Sequence, residues 1–284
     1  MAAGPRRPPQ PTVGEVTSIR SPQVKAVRQL AKRAFRQQSR AFLAEGRQSV
    51  AEALRRPGVL TELFVTGPAS SRCADLVRQA ASQGAAVRTV SGQVMAELAQ
   101  TVTPQGVLAV CRFVDVPLAE LTAASPALVA VLANVRDPGN AGTVLRTADA
   151  AGAAGVVFAD ASVDPYNGKC VRSAAGSVFH LPVVAGSSLP AAAAALRAAG
   201  LRLLAADGSA RHRLDDLESA GELGGPTAWL FGNESWGLPA ELASLADDAV
   251  AVPIYGQAES LNLAAAAAVC LYASARAQRS APGR

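Results

Sequence analysis

The sequence predicts an α/β protein: a small mixed unit followed by a larger, doubly wound parallel sheet. Three observations predict it. Strand-like and helix-like runs alternate from Ser21 almost to the C-terminus. Two of the runs, ALVAVLANV and TAWLFG, are apolar throughout, the pattern of strands covered on both faces. The composition is 50% hydrophobic but only 4% aromatic, which fits layered cores of alanine and branched aliphatics. With 284 residues, two domains of ordinary size fit.

In order, residues 1–17 are Pro-rich and basic and read as a disordered tail. A first domain spans 18–114. SPQVKAVRQLAKRAFRQQSR reads as a basic helix, with Val24, Val27, Leu30 and Ala31 at helical spacing, before a short strand. GRQSVAEALRRPG is a helix stopped by Pro57-Gly58. LTELFVTG, AAVRTVS and QGVLAVCRFV are strand-like, with SRCADLVRQAASQG and SGQVMAELAQT helical between them. Residues 115–126 read as a linker. The second domain, 127–276, alternates ALVAVLANV, a helix over GTVLRTADAAG, AGVVFAD, a helix over PYNGKCVRSAAGS, FHLPVVA, LPAAAAALRAAG, LRLLAAD, TAWLFG and AVAVPIYG. A last helix follows from about Ser260 to Arg276, and 277–284 form a tail.

Charge is uneven. Residues 1–47 carry ten Lys or Arg against Glu15 and Glu45, a net of +8, and the rest of the chain is −3. A basic end on a nearly neutral body suits a polyanion such as RNA, with Arg28, Lys32, Arg33, Arg36 and Arg47 as candidate contacts. Four dispersed cysteines and two histidines show no ligand spacing, so neither a metal site nor a disulfide framework is expected. The start lacks the apolar region of a secretory signal, and the Ala-rich LNLAAAAAVCLYASA is short for a membrane span; a cytoplasmic protein is expected.

Chemistry concentrates at three strand-to-loop junctions of the second domain. After the first strand, NVRDPGNAGTVLR opens a helix for which Asn140 is a candidate N-cap, with Arg146 about one and a half turns in. LFGNESWGLP follows a buried strand, with Gly232 and Glu234; Trp236 either shields a site or packs as core. VPIYGQAESLNL places Ser260 as a cap and Asn262 in the first turn of the last helix. The fingerprints of dinucleotide, P-loop and serine-hydrolase sites are absent.

These three stretches, in this order and with this internal spacing, resemble the motifs of the SpoU (TrmH-like) RNA methyltransferases of the SPOUT superfamily. RSAAGSVFHLP, from Arg172 to Pro182, is similar to a further recurring family segment. The N-terminal SPQVKAVR and FLAEGRQSVAEAL resemble, less specifically, the family's ribosomal-protein-like RNA-binding domain. The resemblance implies a parallel-sheet domain with a deep C-terminal trefoil knot and a homodimer through the knot helices. It implies S-adenosylmethionine held by Gly232, Val252, Ile254, Leu261 and Leu263. It also implies methylation of a ribose 2′-hydroxyl with Arg146, Asn140, Glu234, Ser260 and Asn262 as catalytic-site residues. Among these, Arg146 is expected to carry chemistry, Asn140 and Asn262 to orient, and Glu234 to hold the constellation, with a role as base as the alternative for Glu234. A guanidinium stays charged and is a poor base, so Arg146 is expected to act with a substrate phosphate or electrostatically. Ser260 serves equally as cap or substrate contact. His180 stands where the family often has a basic residue, its role structural or RNA-binding. Ribosomal RNA, of the 23S type, is the expected substrate. A transfer-RNA methyltransferase and a non-catalytic RNA-binding or ribosome-assembly protein are the alternatives.

Overall fold

The computed structural model describes residues 15–280; most of the stretch read as an N-terminal tail, 1–14, lies outside the described residues, as do 281–284. The first unit runs α1 (Pro22–Gln29), α2 (Arg33–Ser39), β1 (Ala41–Glu45), α3 (Arg47–Leu54), β2 (Leu60–Thr66), α4 (Gly67–Arg72), α5 (Ala74–Ser82), β3 (Ala86–Val90), α6 (Gly92–Leu98) and β4 (Val107–Arg112). Its four strands form one sheet in the order β1-β4-β2-β3, with β2 and β3 parallel and the other pairs antiparallel. Ser21 caps α1 by accepting from the Val24 amide, and Pro22 occupies its first turn, where a missing N–H costs nothing. Val16 pairs with Val90, two residues inside the stretch read as tail.

The expected linker is structured: α7 (Leu118–Ala123) buries Leu121 against the second sheet. That sheet is built from β5 (Leu128–Ala133), α8 (Pro138–Ala151), β6 (Gly155–Ala159), α9 (Gly168–Ser173), β7 (Val183–Ser187), α10 (Leu189–Ala198), β8 (Arg202–Ala206), β9 (His212–Arg213), α11 (Leu214–Ser219), β10 (Thr227–Phe231), α12 (Ala240–Ala243), β11 (Asp248–Ala251) and α13 (Leu263–Ser280). Its strand order is β7-β6-β5-β10-β8-β11-β9, and every pair is parallel. Successive side chains of a strand point to opposite faces. In β5, Leu128, Ala130 and Leu132 enter one core layer, and Val129, Val131 and Ala133 the other. β10 divides likewise, Trp229 and Phe231 against Ala228 and Leu230. That is why these two segments read as continuous apolar runs.

Other boundaries also differ from the sequence reading. FHLPVVA is a strand only from Val183, because Ser177–Phe179 form a 3-10 turn. AVAVPIYG leaves the sheet after Ala251, where Pro253 lacks the amide a ladder needs. The last helix begins at Leu263 and continues to Ser280, into the stretch read as a C-terminal tail. It is anchored over β10 by a buried hydrogen bond from Trp229 Nε1 to Ser274 Oγ (2.9 Å) and over α8 by Arg279, which donates to the Ala151 carbonyl.

One hydrophobic layer is continuous across both units. Phe42 of β1 packs on Tyr166 (ring centroids 4.6 Å apart) and Phe179 (5.7 Å), and Phe113 stacks on Tyr166 (3.8 Å). The Tyr166 hydroxyl accepts from the Val114 amide and donates to Asp115. Beside this cluster, Arg36 of α2 pairs with Asp164, both buried.

Candidate active site

Parallel sheets present their ligand-binding loops beyond the carboxyl ends of the strands. Because β10 lies between β5 and β8, the loops after β5 and β10 are adjacent. The β5 loop turns at Asn134, whose φ is +57°, and α8 then starts earlier than the sequence reading has it. Pro138 fits its first position, and the N-cap is Asp137, whose Oδ1 accepts from the Asn140 amide at 2.8 Å, so Asn140 is not the cap. The Asn140 side chain is thereby free for other work. The Lys169 ammonium, 2.7 Å away, holds the Asp137 carboxyl below the usual carboxylate range.

The β10 loop is a tight hairpin: Asn233 and Gly237 exchange backbone hydrogen bonds of 2.8 and 2.9 Å. Gly232 is required there, since a Cβ would meet the Gly237 oxygen and the Leu238 nitrogen at 2.6 Å each. Asn233 is buried and donates from Nδ2 to the Asn134 carbonyl (2.9 Å), tying the β10 loop to the β5 loop. Trp236 is 59% exposed, so it is not core.

Three of the five expected catalytic-site residues meet. Glu234 Oε1 accepts from Asn140 Nδ2 (3.2 Å) and the Asp137 amide (3.3 Å), and its Oε2 from the Arg136 amide (3.4 Å). Asn140 Oδ1 in turn accepts from Asn262 Nδ2 (3.0 Å). Asn262 Oδ1 accepts from the Ala264 amide (2.9 Å), so Asn262, and not Ser260, caps α13. Ser260 is exposed and outside the helix. Arg146 stands on the exposed face of α8 and, among the described residues, joins neither this network nor any ion pair. Of the five expected catalytic-site residues, Asn140, Glu234 and Asn262 thus form one hydrogen-bonded network, and Arg146 and Ser260 make no hydrogen bond to it among the described residues.

The β11 loop supplies the rest. Val252 and Leu263 are half-buried, Ile254 and Leu261 are exposed, and Gly232 is buried at the end of β10. Among the described residues, the backbone of 253–261 makes no hydrogen bonds. An irregular loop with exposed aliphatic side chains and unpaired backbone donors and acceptors fits an adenosine, which offers an apolar ring with polar edges. No group of three or more metal-ligating side chains occurs among the described residues.

Of the expected RNA contacts, Lys32 and Arg33 are exposed. Arg28 is exposed but paired with Glu97 (3.0 Å), and Arg47 with Asp75 (2.9 Å). Arg36 is a correction. It is 2% exposed; its Nε and Nη2 donate to Asp164 Oδ2, and its Nη1 to the Leu30 and Ala31 carbonyls. It cannot reach RNA. Asp137, Asn233 and Lys169 were not singled out from sequence. The signal for Asn233 was present, a polar side chain directly after an apolar strand and its glycine. That for Lys169 was not, because its partner is 32 residues away.

Comparison with known proteins places the chain in a family. The SpoU rRNA Methylase family model matches residues 127–272, and the MRM3-like substrate binding domain matches 21–109. The chain is 36% identical over 261 residues to the 23S rRNA (guanosine(2553)-2′-O)-methyltransferase RlmP of Bacillus subtilis, covering 91% of this chain and 98% of that one. An AdoMet-bound rRNA methyltransferase from Sinorhizobium meliloti superposes with a TM-score of 0.81 at 32% identity, over 93% of this chain and 97% of the other. AviRb from Streptomyces viridochromogenes, a SpoU methyltransferase in complex with AdoMet, gives 0.79 at 29% identity, over 93% and 100%. With a family model over half its length and a relative this similar over nine-tenths of it, the chain belongs to the SpoU rRNA methylase family.

Proposed function

We propose that this protein methylates a ribose 2′-hydroxyl of 23S-type ribosomal RNA, using S-adenosylmethionine. The observation that carries the reading is the Glu234–Asn140–Asn262 network, which joins the loops after β5, β10 and β11 beside a backbone with unused polar groups. The names of the relatives support ribosomal over transfer RNA. The first unit, read from sequence as 18–114, is taken to bind RNA, and the second, read as 127–276 and extended by α13 to Ser280, to carry the transfer.

The cofactor supplies an electrophilic methyl on a sulfonium. Gly232, Val252, Ile254, Leu261 and Leu263 would hold it, through apolar contact and free backbone groups. A ribose hydroxyl is a weak nucleophile, so its proton must leave as oxygen bonds to carbon. Arg146 is the catalytic residue: an always-charged guanidinium stabilises the developing oxyanion or fixes a phosphate that takes the proton. Asn140 and Asn262 orient the ribose, Glu234 fixes the loops that carry them, and Ser260 contacts the substrate. Lys32 and Arg33 contribute phosphate contacts, and Arg28 and Arg47 do so on exchanging their carboxylate partners for RNA.

The reading extends to assembly. α13 leaves Val269 and Tyr272 exposed at i, i+3 spacing, an apolar face suited to a second copy of the chain. With α13 returning across α8 and β10, the C-terminal pass is proposed to be knotted and the protein a homodimer. No helix of the described residues is long and apolar enough to cross a membrane, and the ribosomal substrate argues for the cytoplasm. The test is methyl transfer from labelled S-adenosylmethionine to ribosomal and transfer RNA, with the modified nucleotide mapped. Label on a 2′-oxygen of 23S-type RNA is expected. Label on a base, or in transfer RNA alone, would overturn the assignment.

A further inference from the structure

His180 is one of two histidines in the chain and lies outside the three loops of the site. It follows the 3-10 turn Ser177–Phe179, ahead of β7. Its Nδ1 is 2.7 Å from Asp149 Oδ2 on α8, and its Nε2 is 3.0 Å from Glu52 Oε2 on α3. The two carboxylates come from different units of the molecule. Carboxylates only accept hydrogen bonds, and a neutral imidazole has a single N–H. Only the imidazolium can donate to both.

The surroundings hold this geometry. Gly176, at φ +103°, lets the turn rest on α3: a Cβ there would meet Glu52 Cγ at 2.6 Å. From α3 the ring faces Glu52, which is backed by Arg55 at 3.3 Å. From α8 it faces Asp149, and Arg146 lies three residues earlier on that helix, a neighbour at helical spacing. The turn and β7 contribute no other charged group. Partial burial disfavours the charged ring, but its hydrogen bonds to Asp149 and Glu52 outweigh it and raise the imidazole pKa above its usual range.

We infer that His180, as an imidazolium, is a positioning residue: it ties the N-terminal unit to α8 one turn beyond Arg146 and so sets where RNA held by that unit meets the site. The RNA part rests on the proposed function; the tie itself does not. For a group whose folded pKa is raised, the contribution is complete below the unfolded pKa and is lost as pH rises through the folded one. Above that point one proton serves two carboxylates, and one of them faces a lone pair.

The experiment has two arms on the full chain. In the first, the imidazole nitrogens are followed by NMR against pH, with His212→Gln leaving a single histidine signal. The expected His180 midpoint lies above that of an exposed histidine and falls in Glu52→Gln and in Asp149→Asn. A midpoint at or below the exposed value overturns the tie. In the second, methylation is measured against pH for the wild type, His180→Gln and His180→Arg. The expected wild-type KM for RNA rises about fivefold across the midpoint, the lower end of couplings between linked sites, while affinity for S-adenosylmethionine is unchanged. His180→Gln should show the higher KM at every pH. His180→Arg, permanently charged, should show the lower one, which also demonstrates that the substituted position folds. Identical profiles for wild type and His180→Gln overturn the positioning role. If no RNA is methylated at all, the functional reading fails while the NMR arm still judges the tie.

Discussion

Replacing Arg36 by alanine tests the correction that separates this residue from the other N-terminal arginines. Its guanidinium makes four hydrogen bonds, two to Asp164 Oδ2 at 2.9 and 2.7 Å and one each to the Leu30 (2.9 Å) and Ala31 (2.8 Å) carbonyls. Both side chains of the ion pair are 3% exposed. Truncation strands a buried carboxylate, whose other oxygen accepts, among the described residues, from the Tyr166 amide alone, and two carbonyls at the end of α1. Breaking a buried pair by removing one partner costs about 3–5 kcal/mol. For a chain of this size each kcal/mol moves the unfolding midpoint by about 2–4 °C, so a fall of roughly 6–20 °C is expected. Replacing both partners, Arg36→Met with Asp164→Leu, should recover much of it, because no charge is then left buried. The assay is thermal and urea unfolding of the wild type and the two variants, with RNA affinity measured alongside. A loss below about 1 kcal/mol, typical of a surface pair, together with weakened RNA binding, would refute the burial argument and restore Arg36 to the RNA face.

Four further outcomes follow from the site. Arg146→Ala should lower methyl transfer by at least about a hundredfold, the scale of losing one oxyanion-stabilising group, with calorimetric binding of S-adenosylmethionine unchanged; weakened binding would place Arg146 in the cofactor pocket instead. Gly232→Ala drives a Cβ into the Gly237 oxygen and the Leu238 nitrogen, so the thermal shift that S-adenosylmethionine produces in the wild type should vanish; an undiminished shift would mean that the loop relaxes. Asp137→Ala removes the cap of α8 and should cost about 1 kcal/mol in urea unfolding at neutral pH. Because the folded pKa of Asp137 is depressed by Lys169, that difference should be present above the unfolded pKa and disappear as pH falls through the folded one; a difference persisting in acid would point to lost packing. Glu234→Gln should keep activity within about tenfold, with Glu234→Ala falling further; equal collapse of both would make the carboxylate a base.

The alternation of elements was legible because each signal is local. Apolar runs mark β5 and β10, and Val24, Val27 and Leu30 mark the buried face of α1. The motif residues Asn140, Glu234 and Asn262 were legible as polar groups beside glycines and helix starts. What was not legible depends on contacts distant in sequence. Arg36 sits among five other basic residues between 25 and 40, and only Asp164, 128 residues away, distinguishes it. His180 and Glu52 are also 128 apart. The caps were misplaced by two or three residues for a similar reason. Asp137 and Asn262 win over Asn140 and Ser260 because Pro138 starts α8 early and the β11 loop stays irregular up to Asn262.

Those displaced caps bear on the chemistry. In Glu234–Asn140–Asn262 the carboxylate is nearly saturated, while each asparagine keeps one amide N–H beyond its bonds within the described residues. Glu234 accepts three N–H groups, Asn140 donates to Glu234 and accepts from Asn262, and Asn262 accepts from the helix it caps. A carboxylate has about four acceptor sites, so Glu234 has little capacity left for a substrate proton. This network fixes three loops in one geometry, which is what orienting a cofactor and a ribose requires. It also leaves proton removal to a group outside it. Arg146 has its full donor set free among the described residues but no acceptor. On the proposed function, donors without an acceptor beside an RNA backbone favour the substrate's own phosphate as the proton acceptor, with Arg146 holding that phosphate in place. Substituting the phosphate flanking the target ribose by a neutral methylphosphonate should then abolish transfer in the wild type and make Arg146→Ala no worse. Independent, additive losses from the two changes would instead put the acceptor back on the protein.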